Sequence, residues 1–341
     1  MIIKPILESL LTKQDLSRET MRELMRSVMT GQVSDAQLAA LLIALRLKGE
    51  SVDEITAAVE VMRELVTPLP ITGASLIDTC GTGGDGANTF NISTTCAFVV
   101  AAAGGRVAKH GNRSVSSRCG SADVLEAAGV NLNLSPEQVA QCVQELGVGF
   151  LFAPNYHGAM KYTRTVRHEL GVRTLFNLLG PLVNPANAQH QLIGVFDKQW
   201  TKPLAQVLQQ LGSKHVLVVH AEDGLDEISI AKPTHVAELK DAMISTYTIT
   251  PEQFGLPRAD LSELAINDAQ DSLVMIEQVL SNKAGAALNI VLLNAGAAIY
   301  AADLSPSLEE GIKLAGQVIA NGSAMAKFEA LIAYTRRSSF A

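Results

Sequence analysis

The sequence predicts an α/β protein in two parts: a small all-helical N-terminal domain, then a larger α/β domain with a central, mostly parallel sheet. Three observations predict it. Roughly the first 70 residues carry helical periodicity only. Pro68 and Pro70 end that pattern. Beyond them, short β-rich runs alternate with helical ones, as in a parallel sheet crossed by helices.

In the N-terminal part, Met21, Leu24, Met25 and Val28 share one helical face, and Gly31 is placed to stop that helix. Ser34-x-x-Gln37 and Ser51-x-x-Glu54 read as capping boxes, in which the Ser oxygen accepts the backbone N–H three residues on. Behind the second box, Ile55, Val59, Met62 and Val66 form another apolar face. After Pro70, residues 76–79 read as a strand and 92–103 as a helix; 107–109 and 122–128 repeat the pair. Ser135-Pro-Glu-Gln138 starts a further helix, with Ser as cap and Pro in the first turn, followed by a strand at 148–153. Strands are expected at 191–196 and 215–221, with a helix at 203–211 between them. Residues 160–179 are helical and interrupt this rhythm; the expectation is that they pack back on the helical part and leave a cleft between the two. The expected division is therefore 1–70, joined by helices from about 160–182, and 71–341. The apolar run 284–302 contains Asn289 and Asn294 and is mostly Ala and Gly, which predicts a buried helix with close packing and not a membrane span.

Composition narrows the function. The chain is 48% hydrophobic and 18% charged, as folded proteins are, and its net charge of −7 argues against nucleic-acid and membrane-surface partners. Cys80, Cys96, Cys119 and Cys142 show no C-x-x-C spacing. With no signal-peptide pattern at the N-terminus, they are expected to be reduced thiols in a cytoplasmic protein.

Against that acidic background, residues 87–122 hold no Asp or Glu but do hold Arg106, Lys109, Arg113 and Arg118. Two Gly- and Ser-rich runs frame the stretch: Asp78-Thr-Cys-Gly-Thr-Gly-Gly-Asp-Gly86 and Lys109-His-Gly-Asn-Arg-Ser-Val-Ser-Ser117. Glycines let backbone N–H groups approach phosphate oxygens, and Ser, Lys and Arg add donors, so the pairing predicts a phosphate or pyrophosphate site. Gly81-x-Gly83-x-x-Gly86 matches a dinucleotide fingerprint by letter, but the acid that should follow about 20 residues on is missing from residues 101–106. A nucleotide-triphosphate loop of the G-x-x-x-x-G-K-[ST] type is also absent from the sequence. Asn91-Ile-Ser93-Thr94 opens the next helix, where the three polar side chains can cap it or serve a phosphate or its metal. In the second run, Lys109 and Arg113 are charges for a phosphate, with no acid nearby to pair with them internally, while His110 and Asn112 can orient an organic ligand. Asp226 and Glu227, in a loop after the strand expected at 215–221, are hard oxygen ligands suited to Mg²⁺. Lys161, Arg164, Arg167 and His168 offer cations for a carboxylate substrate, and pattern does not choose among them.

These segments, in this order, resemble the anthranilate phosphoribosyltransferases. Further carriers are Gly120-Ser-Ala-Asp-Val-Leu-Glu126, Arg173-Thr-Leu-Phe-Asn-Leu-Leu-Gly-Pro-Leu182 and Gly224-Leu-Asp-Glu-Ile228, and the likeness covers nearly the whole chain. It implies the nucleoside phosphorylase/phosphoribosyltransferase-like fold and transfer of phosphoribose from phosphoribosyl pyrophosphate to the amine of anthranilate, as a stand-alone enzyme of tryptophan biosynthesis. It implies phosphoribosyl pyrophosphate contacts at Gly81, Gly84, Asp85, Thr89, Asn91, Ile92, Ser93 and Thr94, along the loop Lys109, His110, Gly111, Asn112, Arg113, Ser114, Val115, Ser116 and Ser117, and at Ser121. Anthranilate contacts are implied at Gly81, His110, Asn112, Arg167, Gly180 and Pro181, and magnesium ligation at Ser93, Asp226 and Glu227, with two ions accompanying the pyrophosphate. A homodimer is implied too. One departure stands out: His157-Gly158 occupies the place of the family's usual His-Pro, which loosens the backbone at the anthranilate entrance.

The residues themselves suit this chemistry. Anthranilate's amine is already a neutral nucleophile, so the difficulty lies in expelling pyrophosphate, which builds positive charge on the sugar and negative charge on the leaving group. A metal, cations and N–H donors address the latter, and no nucleophile for a covalent route stands out. Three alternatives compete. A pyrimidine nucleoside phosphorylase shares a Lys- and Ser-rich phosphate loop but needs neither the complete glycine loop nor Asp226-Glu227. A non-catalytic nucleic-acid-binding relative should be basic and lack both motifs. A dinucleotide-dependent oxidoreductase should carry the missing acid.

Overall fold

Serine caps and apolar stripes start the chain as four helices in the computed structural model, which describes residues 2–71, 75–114 and 117–337. They are α1 (Ile3–Leu11), α2 (Arg18–Met29), α3 (Asp35–Lys48) and α4 (Val52–Leu65). Both expected capping boxes are present, Ser34 with Gln37 and Ser51 with Glu54. Glu54 does more than cap: it is fully buried and its carboxylate also accepts the Leu16 N–H at 2.9 Å and meets Lys48 Nζ at 2.8 Å. One buried charge thus ties α3 and α4 to the loop between α1 and α2, and its pairing with Lys48 makes that burial tolerable.

The alternating part follows as β1 (Leu76–Gly81), α5 (Ile92–Ala102), β2 (Arg106–Gly111), α6 (Ser121–Ala127), α7 (Pro136–Leu146) and β3 (Val148–Phe152). The short helices α8 (Ala153–Tyr156), α9 (Arg164–Leu170) and α10 (Leu175–Leu179) interrupt it, broken after α9 by Gly171 in a left-handed cap at φ 59°. Then come β4 (His190–Gly194), α11 (Thr201–Gln210) and β5 (His215–Ala221). Beyond the sequence expectation, β6 (Thr234–Lys240) and β7 (Met243–Ile249) add a hairpin. The chain closes with α12 (Ala269–Leu280), α13 (Ala286–Ala301), α14 (Leu308–Ala320) and α15 (Ser323–Thr335). Helix α13 is the buried helix expected at 284–302, and among the described residues no helix is long and apolar enough to cross a membrane.

The seven strands form one sheet in the order β3-β2-β1-β4-β5-β6-β7. Pairing is parallel from β3 to β5 and antiparallel for β6 and β7. Side chains on β5 alternate between two cores. Leu217, Val219 and Ala221 face the cluster that contains α5, α13 and α15; Val216 and Val218 face the cluster that contains α1 to α4, α10 and α11. Period-two alternation between two apolar layers is what a doubly covered sheet requires. The helical N-terminal part therefore closes one face of the sheet together with α11. Chain order reverses at β1, whose neighbours are β2 and β4, so a switch-point crevice lies at the C-terminal ends of β1 and β4, where α/β sites form.

Candidate active site

Two glycines make the crevice possible. Gly81 ends β1 and pairs in register with Gly194, which ends β4. A Cβ added at Gly81 would strike the Asp226 carboxylate, and one at Gly194 would strike the Asp226 main chain. The loop after β5 can therefore fold over the strand ends only because both positions lack side chains. Asp226 Oδ2 then accepts the Gly83 N–H at 2.7 Å, and Gly83 and Gly84 turn the glycine loop with φ of 67° and 78°.

A cation and three carboxylates meet below this loop. Lys109, from β2, is buried; its Nζ donates to the Thr79 carbonyl and lies 3.3 Å from Ser93 Oγ. Ser93 sits in the first turn of α5, and its N–H bonds Glu227. Burial and then the Asp85 charge push Asp226 up, and burial and then the Asp226 charge push Glu227 up, with Lys109 pulling the other way. Buried like charges with one shared cation are short of positive charge. Ser93, Asp226 and Glu227, with Asp85 beside them, are an all-oxygen donor set that fits a hard divalent cation. No three His, Cys, Asp or Glu side chains among the described residues cage a metal unaided; a magnesium ion here would complete its shell from substrate and water.

The strand that carries Lys109 is braced from behind. Asp78 is fully buried, accepts the His110 N–H at 3.1 Å and takes the Asn184 amide at 2.7 Å, which also bonds the Ala108 carbonyl at 2.8 Å. Burial pushes Asp78 up to about 6 against the pull of Lys109 and Asn184. His110 is buried too; its Nε2 lies 3.1 Å from His157 Nε2, and the ring bonds the Gly180 main chain. The Gly180 main chain and the His157 ring thus hold the His110 imidazole in place.

Burial, then the neighbouring His157, drives His110 down to about 3, and burial drives His157 to about 4. Unfolded histidines titrate near 6.5. Above that pH both states are neutral and the full stability is present. As the pH falls, the unfolded chain takes up protons that the folded rings refuse, so stability is lost from about 6.5 downward. Between pH 7.5 and 5, each ring is expected to remove on the order of 2 kcal/mol at most. Denaturant melts across that range test it: wild type should weaken, and His157→Gln should weaken less. Parallel pH curves for the two proteins would refute the assignment.

The second glycine- and serine-rich run departs from expectation. Arg113 is not free for a phosphate: it pairs with Glu126 at 2.6 Å and Asp123 at 3.3 Å, its guanidinium over Phe152 at 5.5 Å. The acid-free stretch ends one residue too early to show this, because Asp123 and Glu126 lie just beyond it on α6. Asp123 also accepts the Ser114 N–H at 3.0 Å and the Gly120 N–H at 2.8 Å, and so shapes the loop. Ser114 and Ser117 bond each other, and Ser121 Oγ reaches the Asn112 carbonyl at 3.3 Å. Asn112 itself is exposed, next to Gly111 at the end of β2. Val115 and Ser116 lie outside the described residues.

Around α5, Asn91 does not cap the helix. Its side chain accepts from Ser272 Oγ at 2.7 Å and donates to the Cys119 carbonyl at 3.4 Å, which ties α5 to α12 and to the second loop. Ile92 is in the core, so only its main chain can face a ligand, and buried Thr94 has an Oγ1 without a partner among the described residues. Thr89 makes an isolated bridge to Ala265.

Of the four cations on the interrupting helices, Lys161, Arg164 and His168 are exposed, whereas Arg167 is half-buried. Its guanidinium lies over the Phe176 ring at 5.4 Å, burial lowers its pKa, and no carboxylate pairs with it among the described residues. Phe176 is on α10, which runs straight into Gly180 and buried Pro181. Gly158 is exposed, with open space where a side chain would stand. The sequence names Asp78 only as the start of the glycine run and His157 only beside Gly158 at the anthranilate entrance; Asn184 and Gly194 carry no sequence signal, because residue order does not bring those strand ends together.

Comparison with known proteins bears on the fold as a whole. The helical bundle domain of the glycosyl transferase family matches residues 4–66, and its a/b domain matches residues 73–325. An anthranilate phosphoribosyltransferase of Methylococcus capsulatus is 64% identical over 337 residues, covering 99% of each chain. The crystal structure of the Thermus thermophilus anthranilate phosphoribosyltransferase superposes with a TM-score of 0.92 at 44% identity, covering 97% of this chain and 99% of that one. The Saccharomyces cerevisiae enzyme, solved in complex with PRPP and Mg, superposes with a TM-score of 0.88 at 25% identity, covering 98% and 97%. With its glycine loop, buried lysine and carboxylate pair gathered at one switch point and relatives this similar end to end, the chain belongs to the anthranilate phosphoribosyltransferase family.

Proposed function

We propose that the switch-point crevice is where this chain performs its reaction. The chain is a pentosyltransferase of tryptophan biosynthesis: it transfers the phosphoribosyl group of 5-phosphoribosyl 1-pyrophosphate to anthranilate, giving N-(5-phosphoribosyl)anthranilate and pyrophosphate. The observation that carries the assignment to this crevice is the meeting of Asp226, Glu227, Ser93 and Lys109 under the glycine loop. In our reading the loop N–H groups, the first turn of α5, Lys109 and the segment Asn112–Ser117 hold phosphoribosyl pyrophosphate. Arg113 acts there through the turn it stabilises. Arg167 takes the anthranilate carboxylate, with His110, Asn112, Gly180, Pro181 and His157 lining that side. Magnesium, as two ions on the pyrophosphate, would be held by Ser93, Asp226 and Glu227 and would draw charge off the leaving group. Lys109 reaches the Thr79 carbonyl and the Ser93 hydroxyl, and orients Ser93. The neutral His110–His157 pair keeps positive charge away from the aromatic amine, which must remain a nucleophile.

We also divide the chain at residue 70, with the helices near 160–182 joining the N-terminal domain, and place the protein in the cytoplasm without membrane or nucleic-acid partners. Exposed Ile2, Leu11 and Leu47, on and beside the packed pair α1 and α3, support a homodimer through that face. The deciding experiment is a product assay with phosphoribosyl pyrophosphate, Mg²⁺ and anthranilate, run against uracil, thymine and other aromatic amines as competing acceptors. Product with anthranilate and none with pyrimidines is expected; product with pyrimidines instead would make the chain a pyrimidine phosphoribosyltransferase.

A further inference from the structure

We infer that Arg173 is a positioning residue for the glycine loop and couples that loop to the helical domain. The inference rests on the pyrophosphate reading of the loop. Arg173 stands in the short break between α9 and α10. Its guanidinium donates to the Gly84 carbonyl and lies over the Phe196 ring at 4.3 Å. Phe196 is tied to the same loop, since its N–H donates to Thr82 Oγ1 at 3.0 Å, while the Thr82 N–H donates to the Gly194 carbonyl at 2.9 Å. The Arg173 main-chain carbonyl is in turn held by Arg46 of α3, Nη1 to O, at 2.6 Å. No carboxylate pairs with Arg173 among the described residues.

The geometry explains what this contact does. A trans peptide plane points its C=O and N–H in opposite directions. With the Gly84 carbonyl drawn to Arg173, the Asp85 N–H of the same peptide turns away from it, and it has no acceptor among the described residues. Gly84 holds a left-handed φ of 78°, which a free glycine loop can leave easily. A charge-assisted bond at that carbonyl selects one loop state, and the stacked guanidinium is itself held in place by the ring. From the opposite side, Asp226 fixes the preceding N–H at Gly83. The loop is therefore clamped at two successive residues, once from the sheet and once from the helical domain, before any substrate arrives. The clamp acts on the pyrophosphate loop and not on the acceptor, so its signature is a split between the two substrates.

Steady-state kinetics of Arg173→Ala, Arg173→Lys and Arg46→Ala test this, with circular dichroism and melting curves alongside. Arg173→Ala should raise the KM for phosphoribosyl pyrophosphate about three- to fivefold, with anthranilate KM and kcat changed less than about twofold. Arg46→Ala should move the same parameter less. Lysine keeps the charge but neither the planar stack nor the fork, so Arg173→Lys should fall between wild type and alanine. It carries the test alone if the alanine variant does not fold. Methylguanidine should lower the raised KM of Arg173→Ala and leave wild type unaffected. An unchanged KM for phosphoribosyl pyrophosphate, or equal loss toward both substrates without rescue, would overturn the proposal. Failure of the wild-type protein to turn over these substrates would instead count against the pyrophosphate reading itself.

Discussion

Asp226→Asn combined with Glu227→Gln is expected to fold normally and to lower turnover by at least about tenfold, the factor that about 1.4 kcal/mol of lost transition-state stabilisation produces. The fold should survive because both substitutions keep shape: an asparagine oxygen can still accept the Gly83 N–H that Asp226 takes at 2.7 Å. Turnover should suffer because two carboxylates beside a pyrophosphate repel it unless a cation bridges them. That bridge matters most in the transition state, where the leaving group carries its greatest charge. The arrangement adds an opposite effect on stability. Asp226, Glu227 and Asp85 crowd one region with Lys109 as counter-charge, and burial already disfavours the charged forms of Asp226 and Glu227. Without magnesium, the neutral double variant should therefore melt at or above the wild-type temperature, a site strained for function. The measurements are turnover against Mg²⁺ concentration and melting in chelator. The variant should need more Mg²⁺ to reach a lower maximum. Superimposable activity curves would leave the two carboxylates as an acidic turn only.

Arg167→Ala should lower kcat/KM for anthranilate by about 10- to 150-fold, the equivalent of about 1.5–3 kcal/mol for a charge-assisted hydrogen bond. Phosphoribosyl pyrophosphate kinetics should change little. A half-buried guanidinium over Phe176 with no carboxylate beside it carries its desolvation uncompensated, and a substrate carboxylate supplies the missing charge. Aniline separates this from a packing effect. Wild type should prefer anthranilate over aniline by a factor that largely disappears in Arg167→Ala. Unchanged preference would place the recognition of the carboxylate elsewhere.

Much of the fold was legible residue by residue. Serine caps three residues before Gln or Glu marked α3, α4 and α7 because a cap is a local hydrogen bond. Strands β1 to β5 showed as short β-rich runs between helical patterns. The hairpin of β6 and β7 did not show, because its two-residue turn is Asp241-Ala242, with φ of 50° and 59°, and lacks the Gly or Asn that usually announces such a turn. The caps Asp268 and Ser307 of α12 and α14 were present in the sequence and went unused.

At the site, residue types and their local spacing disclose which chemistry is available: a glycine loop, a basic and serine-rich loop, a carboxylate pair and a family pattern that names the reaction. Those follow from residue type and spacing within a few positions, which is the range of a turn or a cap. The partners of those groups are set by how the chain packs. Packing gave Arg113 to Glu126, half-buried Arg167 alone of the four cations, with no carboxylate beside it among the described residues, and set Gly194 beneath Asp226. It also joined Arg46 to Gly84 through Arg173. Charge pairing and burial depend on distances across the sheet and between domains, and those distances are set by packing, not by order along the chain.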